Sequence, residues 1–114
     1  MSETEFQRVL SLADVPQGKM RACEIDGRQI VVCRTGDGVF ALDNVCTHAY
    51  SRMSEGRVRG SRLICPLHGA AFDVSNGRVL GAPATKPLHT HRVRMSGEQI
   101  EVAIDSSAPV QTID

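Results

Sequence analysis

Four side chains in two short runs carry the chemistry of this sequence: Cys46 and His48 in VCTHAYS (residues 45–51), and Cys65 and His68 in ICPLHGA (residues 64–70). The spacing is C-x-H, sixteen intervening residues, then C-x-x-H. Three chemistries use such a set. A structural zinc site takes Cys₂His₂ tetrahedrally, but known zinc fingers pair two cysteines in one knuckle and two histidines on a helix, whereas here each run offers one of each. A nucleophilic thiolate with a histidine base needs only one such pair, and neither run shows a third group to orient the base. A two-iron, two-sulfide cluster with inequivalent irons takes two thiolates on one iron and two imidazoles on the other. Two runs that each give one Cys and one His can clamp opposite sides of that rhomb.

The elements that must position these runs read as short strands broken by turns. RACEI-DG-RQIVVC is a hairpin pattern, because Asp-Gly is the strongest two-residue hairpin signal. Further turns stand at TGDG (35–38), SNG (75–77) and SGEQ (96–99), and HRVRM followed by IEVAI makes a second hairpin around SGEQ. VFAL, RLIC, AAFDV and RVL fill the spaces between, several with period-2 alternation. No window sustains a helical apolar period, and Pro16 and Gly18 keep any helical turn in ADVPQGK short. Close-spaced short strands indicate an all-β antiparallel sandwich or small barrel. Both Cys/His runs follow a predicted strand and so lie in loops, VFAL leading to DNVCTH and RLI to CPLHG. The pattern makes residues 1–104 a single domain and leaves DSSAPVQTID (105–114) as a mobile tail.

Length and composition narrow the classes. The 114 residues suit one core, and a hydrophobic content of 41% is enough to fold it. Aromatics are few (Phe6, Phe40, Tyr50 and Phe72), so a bound inorganic group that ties loops together would help so small a domain. Thirteen basic and thirteen acidic residues cancel, which argues against a nucleic-acid partner. No apolar run approaches the roughly 20 residues of a membrane span, and MSETEFQ lacks the features of a secretory signal. The expected compartment is the cytoplasm. There, clustered cysteines bind metal or do chemistry more often than they form disulfides. Hairpin register sets Cys23 opposite Ile30 and Cys33 opposite Met20. That three-residue offset, about 10 Å, exceeds what a disulfide spans. Cys23 and Cys33 therefore read as small buried side chains.

With these residues in view, the chain resembles the Rieske family, through CTH at 46–48 and CPLHG at 65–69. SEG at 54–56, HGAAFDVSNGRVLGAPA at 68–84 and the strand HRVRM extend the likeness to the small Rieske ferredoxins of bacterial ring-hydroxylating oxygenases, over roughly residues 6 to 104. The resemblance implies one [2Fe–2S] cluster, with Cys46 and Cys65 on the buried iron and His48 and His68 on the outer one. It implies that Gly81, Ala82 and Pro83 shield the cluster, and that electrons leave by His48 and His68, with Tyr50 as cluster cover or acceptor contact. It further implies a carrier rather than an enzyme, taking electrons from an NAD(P)H-oxidising flavoprotein reductase and passing them to a terminal oxygenase. The 114 residues hold no stretch expected to form a non-haem-iron catalytic domain, so the oxygenase itself is not expected.

Departures within the family refine this expectation. High-potential Rieske proteins carry an extra cysteine in each loop, joined as a disulfide, and a serine two residues after the second histidine. Here those positions hold Ser51, Leu67 and Ala70. Fewer donors to the sulfurs imply a potential near the bottom of the Rieske range, roughly −150 mV. Two other readings stand beside the carrier: the Rieske-like small subunit of an assimilatory nitrite reductase, and a zinc-bound interaction module. Outside the loops, His91 reads as a structural side chain in step with Val93 and Met95, and His89 as solvated. Arg52, Arg57, Arg59 and Arg62 against Glu55 alone read as a solvated surface, with steering of an acidic partner as the sharper alternative.

Overall fold

The computed structural model describes residues 6–47, 51–67, 69–82 and 84–104. They form ten strands: β1 (Gln7–Ser11), β2 (Met20–Ile25), β3 (Arg28–Thr35), β4 (Gly38–Asp43), β5 (Arg57–Arg59), β6 (Arg62–Ile64), β7 (Ala71–Asp73), β8 (Val79–Gly81), β9 (Thr90–Ser96) and β10 (Gln99–Ala103). Two single 3₁₀ turns, Leu12–Asp14 and Met53–Glu55, complete the regular structure of the described residues. The all-β antiparallel expectation holds. A six-stranded, barrel-like sheet has the order β1-β10-β9-β4-β3-β2, and a separate four-stranded sheet runs β5-β6-β7-β8.

The turn chemistry works as the residue types require. Asp26 and Gly27 both take positive φ (52° and 83°), which gives a two-residue hairpin turn whose twist matches the flanking strands. That turn sets Cys23 opposite Ile30 and Cys33 opposite Met20, the register expected from the sequence. Gly97, at φ 61°, likewise closes β9 on β10 with Ser96 opposite Gln99. The short N-terminal helical turn is Leu12–Asp14, capped by the Asp14 carboxylate accepting from the Ser11 N–H at 3.0 Å.

The central element is β3. Its run Ile30-Val31-Val32-Cys33 is wholly buried, as expected of a strand covered on both faces. Ile30 and Val32 point into one apolar cluster with Val15, Ile25, Ala41, Ile100 and Val102. Val31 and Cys33 point into a second, shared with Leu42, Met53, Leu63, Phe72, Val74 and Leu88. Alternation along β4 does the same with Ala41 and Leu42. The four-stranded sheet is thus an insertion between β4 and β9 that packs on the outer face of β3. The chain returns from it where β9 meets β4, through Ala41–His91 and Leu42–Thr90.

Candidate metal centre

The two cysteine loops are built alike. After β4, Val45 bridges to Arg52 and the Cys46 N–H donates to the Ser51 carbonyl at 2.8 Å. After β6, the Cys65 N–H donates to the Ala70 carbonyl, also at 2.8 Å. Each cysteine therefore opens a loop closed by the carbonyl five residues on. Cys46 is 0% exposed and Cys65 is 2% exposed, and both belong to the apolar cluster on the outer face of β3. His48, Tyr50, His68 and Pro83 lie outside the described residues.

Polar contacts fix the first loop from beneath. Buried Asn44 donates from its side-chain amide to Ser54 Oγ at 3.0 Å and accepts the Ser54 N–H on Oδ1 at 2.7 Å. Its carbonyl accepts the Met53 N–H at 2.7 Å, and its own N–H reaches the Gln29 carbonyl at 2.9 Å. This anchor drives Met53 fully into the core. Sequence reading missed Asn44, since a lone Asn before a loop looks like turn chemistry. Gly56 follows, where a Cβ would stand 1.9 Å from the Ile64 carbonyl oxygen, so only glycine lets the two loop stems approach.

A third segment closes in from the side. Gly81 is the register partner of Ala71, and Ala82 is exposed. Thr47 donates its hydroxyl to the Lys86 carbonyl at 2.7 Å, tying the first loop to the chain beyond Ala82. Ala84 and Leu88 join the same buried cluster as the two cysteines.

Between the loops, Ser51 Oγ stands 3.1 Å from Cys65 Sγ. From the sequence, Ser51 registers only as a lost disulfide position. In the fold it links the two loops by a hydrogen bond and offers a donor to the sulfur. Leu67, the other lost position, is 45% exposed.

This donor set suits a cluster. Two cysteines at the floor of one apolar core are soft sulfur donors of the kind that hold iron, and the Ser51 hydroxyl stands within hydrogen-bond distance of the Cys65 sulfur. The remaining cysteines differ: burial pushes the Cys33 thiol up to about 12 and the Cys23 thiol up to about 11. Both are free and stay protonated. His91 is buried in the structural role expected of it. Its Nε2 lies 2.7 Å from Asp43 Oδ1, beside Val39, Phe40, Val74 and Val93. His89 is half-buried, and its carbonyl accepts the Asp43 N–H at 2.9 Å.

Comparison with known proteins agrees with this geometry. The Rieske [2Fe–2S] domain family matches residues 5–105. The ferredoxin component of the naphthalene 1,2-dioxygenase system of Pseudomonas putida is 35% identical over 98 residues, covering 86% of this chain and 92% of the relative. The corresponding Pseudomonas aeruginosa component is 33% identical over 93 residues, 82% of this chain and 89% of the relative. Among solved structures, the ferredoxin of carbazole 1,9a-dioxygenase from Nocardioides aromaticivorans IC177 superposes with a TM-score of 0.82 at 34% identity, over 86% of this chain and 96% of that one. An NADH-dependent nitrite reductase small subunit from Mycobacterium tuberculosis shares the fold alone, at 22% identity. The zinc and nucleophile readings give way to a [2Fe–2S] domain, and the relatives are electron-transfer components rather than catalysts. The chain belongs to the Rieske [2Fe–2S] family and resembles the ferredoxin components of aromatic-ring dioxygenase systems.

Proposed function

We propose that this chain is a low-potential Rieske ferredoxin that carries single electrons from an NAD(P)H-dependent flavoprotein reductase to a terminal ring-hydroxylating oxygenase. The observation that carries the reading is the pair of matched loops, each opening on a buried cysteine and sharing one apolar cluster. Cys46 and Cys65 would hold the inner iron, and His48 and His68 the outer one. The bound group supplies a reversible one-electron couple. The chain's own residues set where that couple sits and how it is screened. Asn44, Met53 and Gly56 hold the loop stems and Ser51 hydrogen-bonds Cys65, while the resemblance implies that Gly81, Ala82 and Pro83 would cover a third side. His48 and His68 would be the exit toward the acceptor, with Tyr50 as a further contact, as the family resemblance implies.

Charge supports the assignment of ligands. Two ferric irons, two sulfides and two thiolates sum to about zero, where a four-thiolate site stands at −2, so histidine ligation makes reduction easier. An oxygenase is the preferred acceptor because a carbazole dioxygenase ferredoxin, solved in complex with its oxygenase, superposes at a TM-score of 0.81 and 32% identity. Among the described residues no helix is long and apolar enough to cross a membrane.

Metal analysis tests the reading directly. Iron with equimolar acid-labile sulfide is expected, and one zinc without sulfide would end it. Cys65→Ala should lose visible colour and the reduced-state EPR signal. Turnover with candidate reductases and oxygenases, reconstituted pairwise, then identifies donor and acceptor.

A further inference from the structure

The charges cancel over the whole sequence but not along it. Arg52, Arg57, Arg59 and Arg62 stand against Glu55 alone between residues 52 and 62, which leaves nine basic residues against twelve acidic ones elsewhere. The neutral total therefore conceals a local basic excess. Strand register turns this segment into a face. Arg57 and Arg59 are exposed on either side of Val58, which packs on the core, and Arg62 is exposed next to buried Leu63. Arg59 lies directly opposite Arg62, and Arg57 opposite Ile64.

Like charges at directly opposed positions weaken a strand pair, so sheet stability does not account for this arrangement. Among the described residues no ion pair neutralises Arg57, Arg59 or Arg62. The register partner of Arg62 on the next strand is Asp73. Its Oδ1 is already engaged, accepting the Ser75 N–H at 2.9 Å and the Ser75 hydroxyl at 2.6 Å. One end of the arginine face reaches the Cys65 loop. Arg57 lines one cleft of about 420 Å³ together with Glu55, Ile64, Cys65, Pro66 and Gly69.

We propose that the arginine face of β5 and β6 is a docking surface for a carboxylate-rich patch on a redox partner protein, guiding it to the Cys65 loop. The proposal rests on the electron-carrier reading above. Steering by such a field raises encounter rates at low salt and fades as salt screens it.

The test uses the reduced, cluster-loaded protein and two small oxidants of opposite charge, anionic hexacyanoferrate(III) and cationic tris(phenanthroline)cobalt(III), in stopped flow. At about 10 mM ionic strength the triple variant R57E/R59E/R62E should react roughly tenfold more slowly with the anion and faster with the cation, and the differences should close near 300 mM. The milder triple Arg→Gln variant should fall between. Fluorescein-labelled decaglutamate should bind the unaltered protein at low salt and not the triple charge reversal. Cluster absorbance and EPR are recorded on every variant first. Absence of a cluster in the unaltered protein overturns the carrier reading, whereas cluster-bearing variants with unchanged rates for both oxidants overturn the docking proposal alone. Tighter binding of a 20-base-pair DNA duplex than of decaglutamate would also overturn it.

Discussion

Ser51 and Cys65 face each other across the two loops with 3.1 Å between Oγ and Sγ, and with Cys65 as the proposed iron ligand the consequence is electronic. A hydroxyl donated to a ligating sulfur stabilises the more negative, reduced state, so hydrogen bonds to sulfur raise the potential. Ser51→Ala should lower the midpoint potential by roughly 20–60 mV, the equivalent of a hydrogen bond of about 0.5–1.4 kcal/mol at 59 mV per tenfold. Protein-film voltammetry measures this without any partner, and an unchanged potential would remove Ser51 from the tuning. Cys33 shows the opposite use of a thiol. Burial holds it protonated, with its pKa pushed up to about 12, so native protein treated with iodoacetamide at pH 8 should remain unmodified at Cys33, while unfolded protein reacts. Because this pKa lies above that of an unfolded thiol, the associated stability is complete below about pH 9 and is lost as the pH rises toward 12. Urea unfolding across that range should show the decline, and Cys33→Ala should flatten it.

At the scale of elements, the loop stems depend on close backbone approach. A Cβ on Gly56 would lie 1.9 Å from the Ile64 carbonyl oxygen and 3.2 Å from that of Met53. Gly56→Ala must therefore push the first loop off the β6 stem, at a cost of about 1–3 kcal/mol or more. Chemical denaturation should register the loss, together with weaker cluster retention. The β5–β6 hairpin carries the reverse expectation. Its Arg59–Arg62 pair is like-charged and directly opposed, so Arg59→Glu should stabilise the fold by about 0.2–1 kcal/mol, a rise of a few degrees in Tm. Calorimetry at low salt checks it, and the gain should shrink as salt is added. A position that gives up stability in this way is more readily understood as part of a surface that another molecule reads.

At the scale of the whole molecule, the insertion of β5–β8 and the barrel-like sheet meet along β3, β4 and β9. Asp43 and His91 lie at that seam, joined at 2.7 Å and buried. Asp43→Ala removes a buried partner of His91 and should cost about 1–3 kcal/mol, read as a lower urea midpoint with an unchanged m-value. The turns at Asp26-Gly27 and around Gly97, the two-faced burial of β3 and the placement of Cys46 and Cys65 in post-strand loops were all legible in the residues. Each follows from local chemistry: positive φ at glycine, an unbroken apolar run, and reactive side chains next to turn signals. Strands β1 and β5 were not legible, because QRVLS and RVR are too short and too polar to show alternation, and only pairing with β10 and β6 makes them strands. Nor was the service of Asn44 and Ser51, whose partners lie 10 and 14 residues away. By itself the sequence determined the spacing of the cysteines and histidines and an all-β frame, since these depend on side-chain chemistry and neighbouring residues. Tertiary structure decided which hydroxyl meets which sulfur, which glycine must stay bare and which arginines share a face, because those depend on distances between strands far apart in the chain.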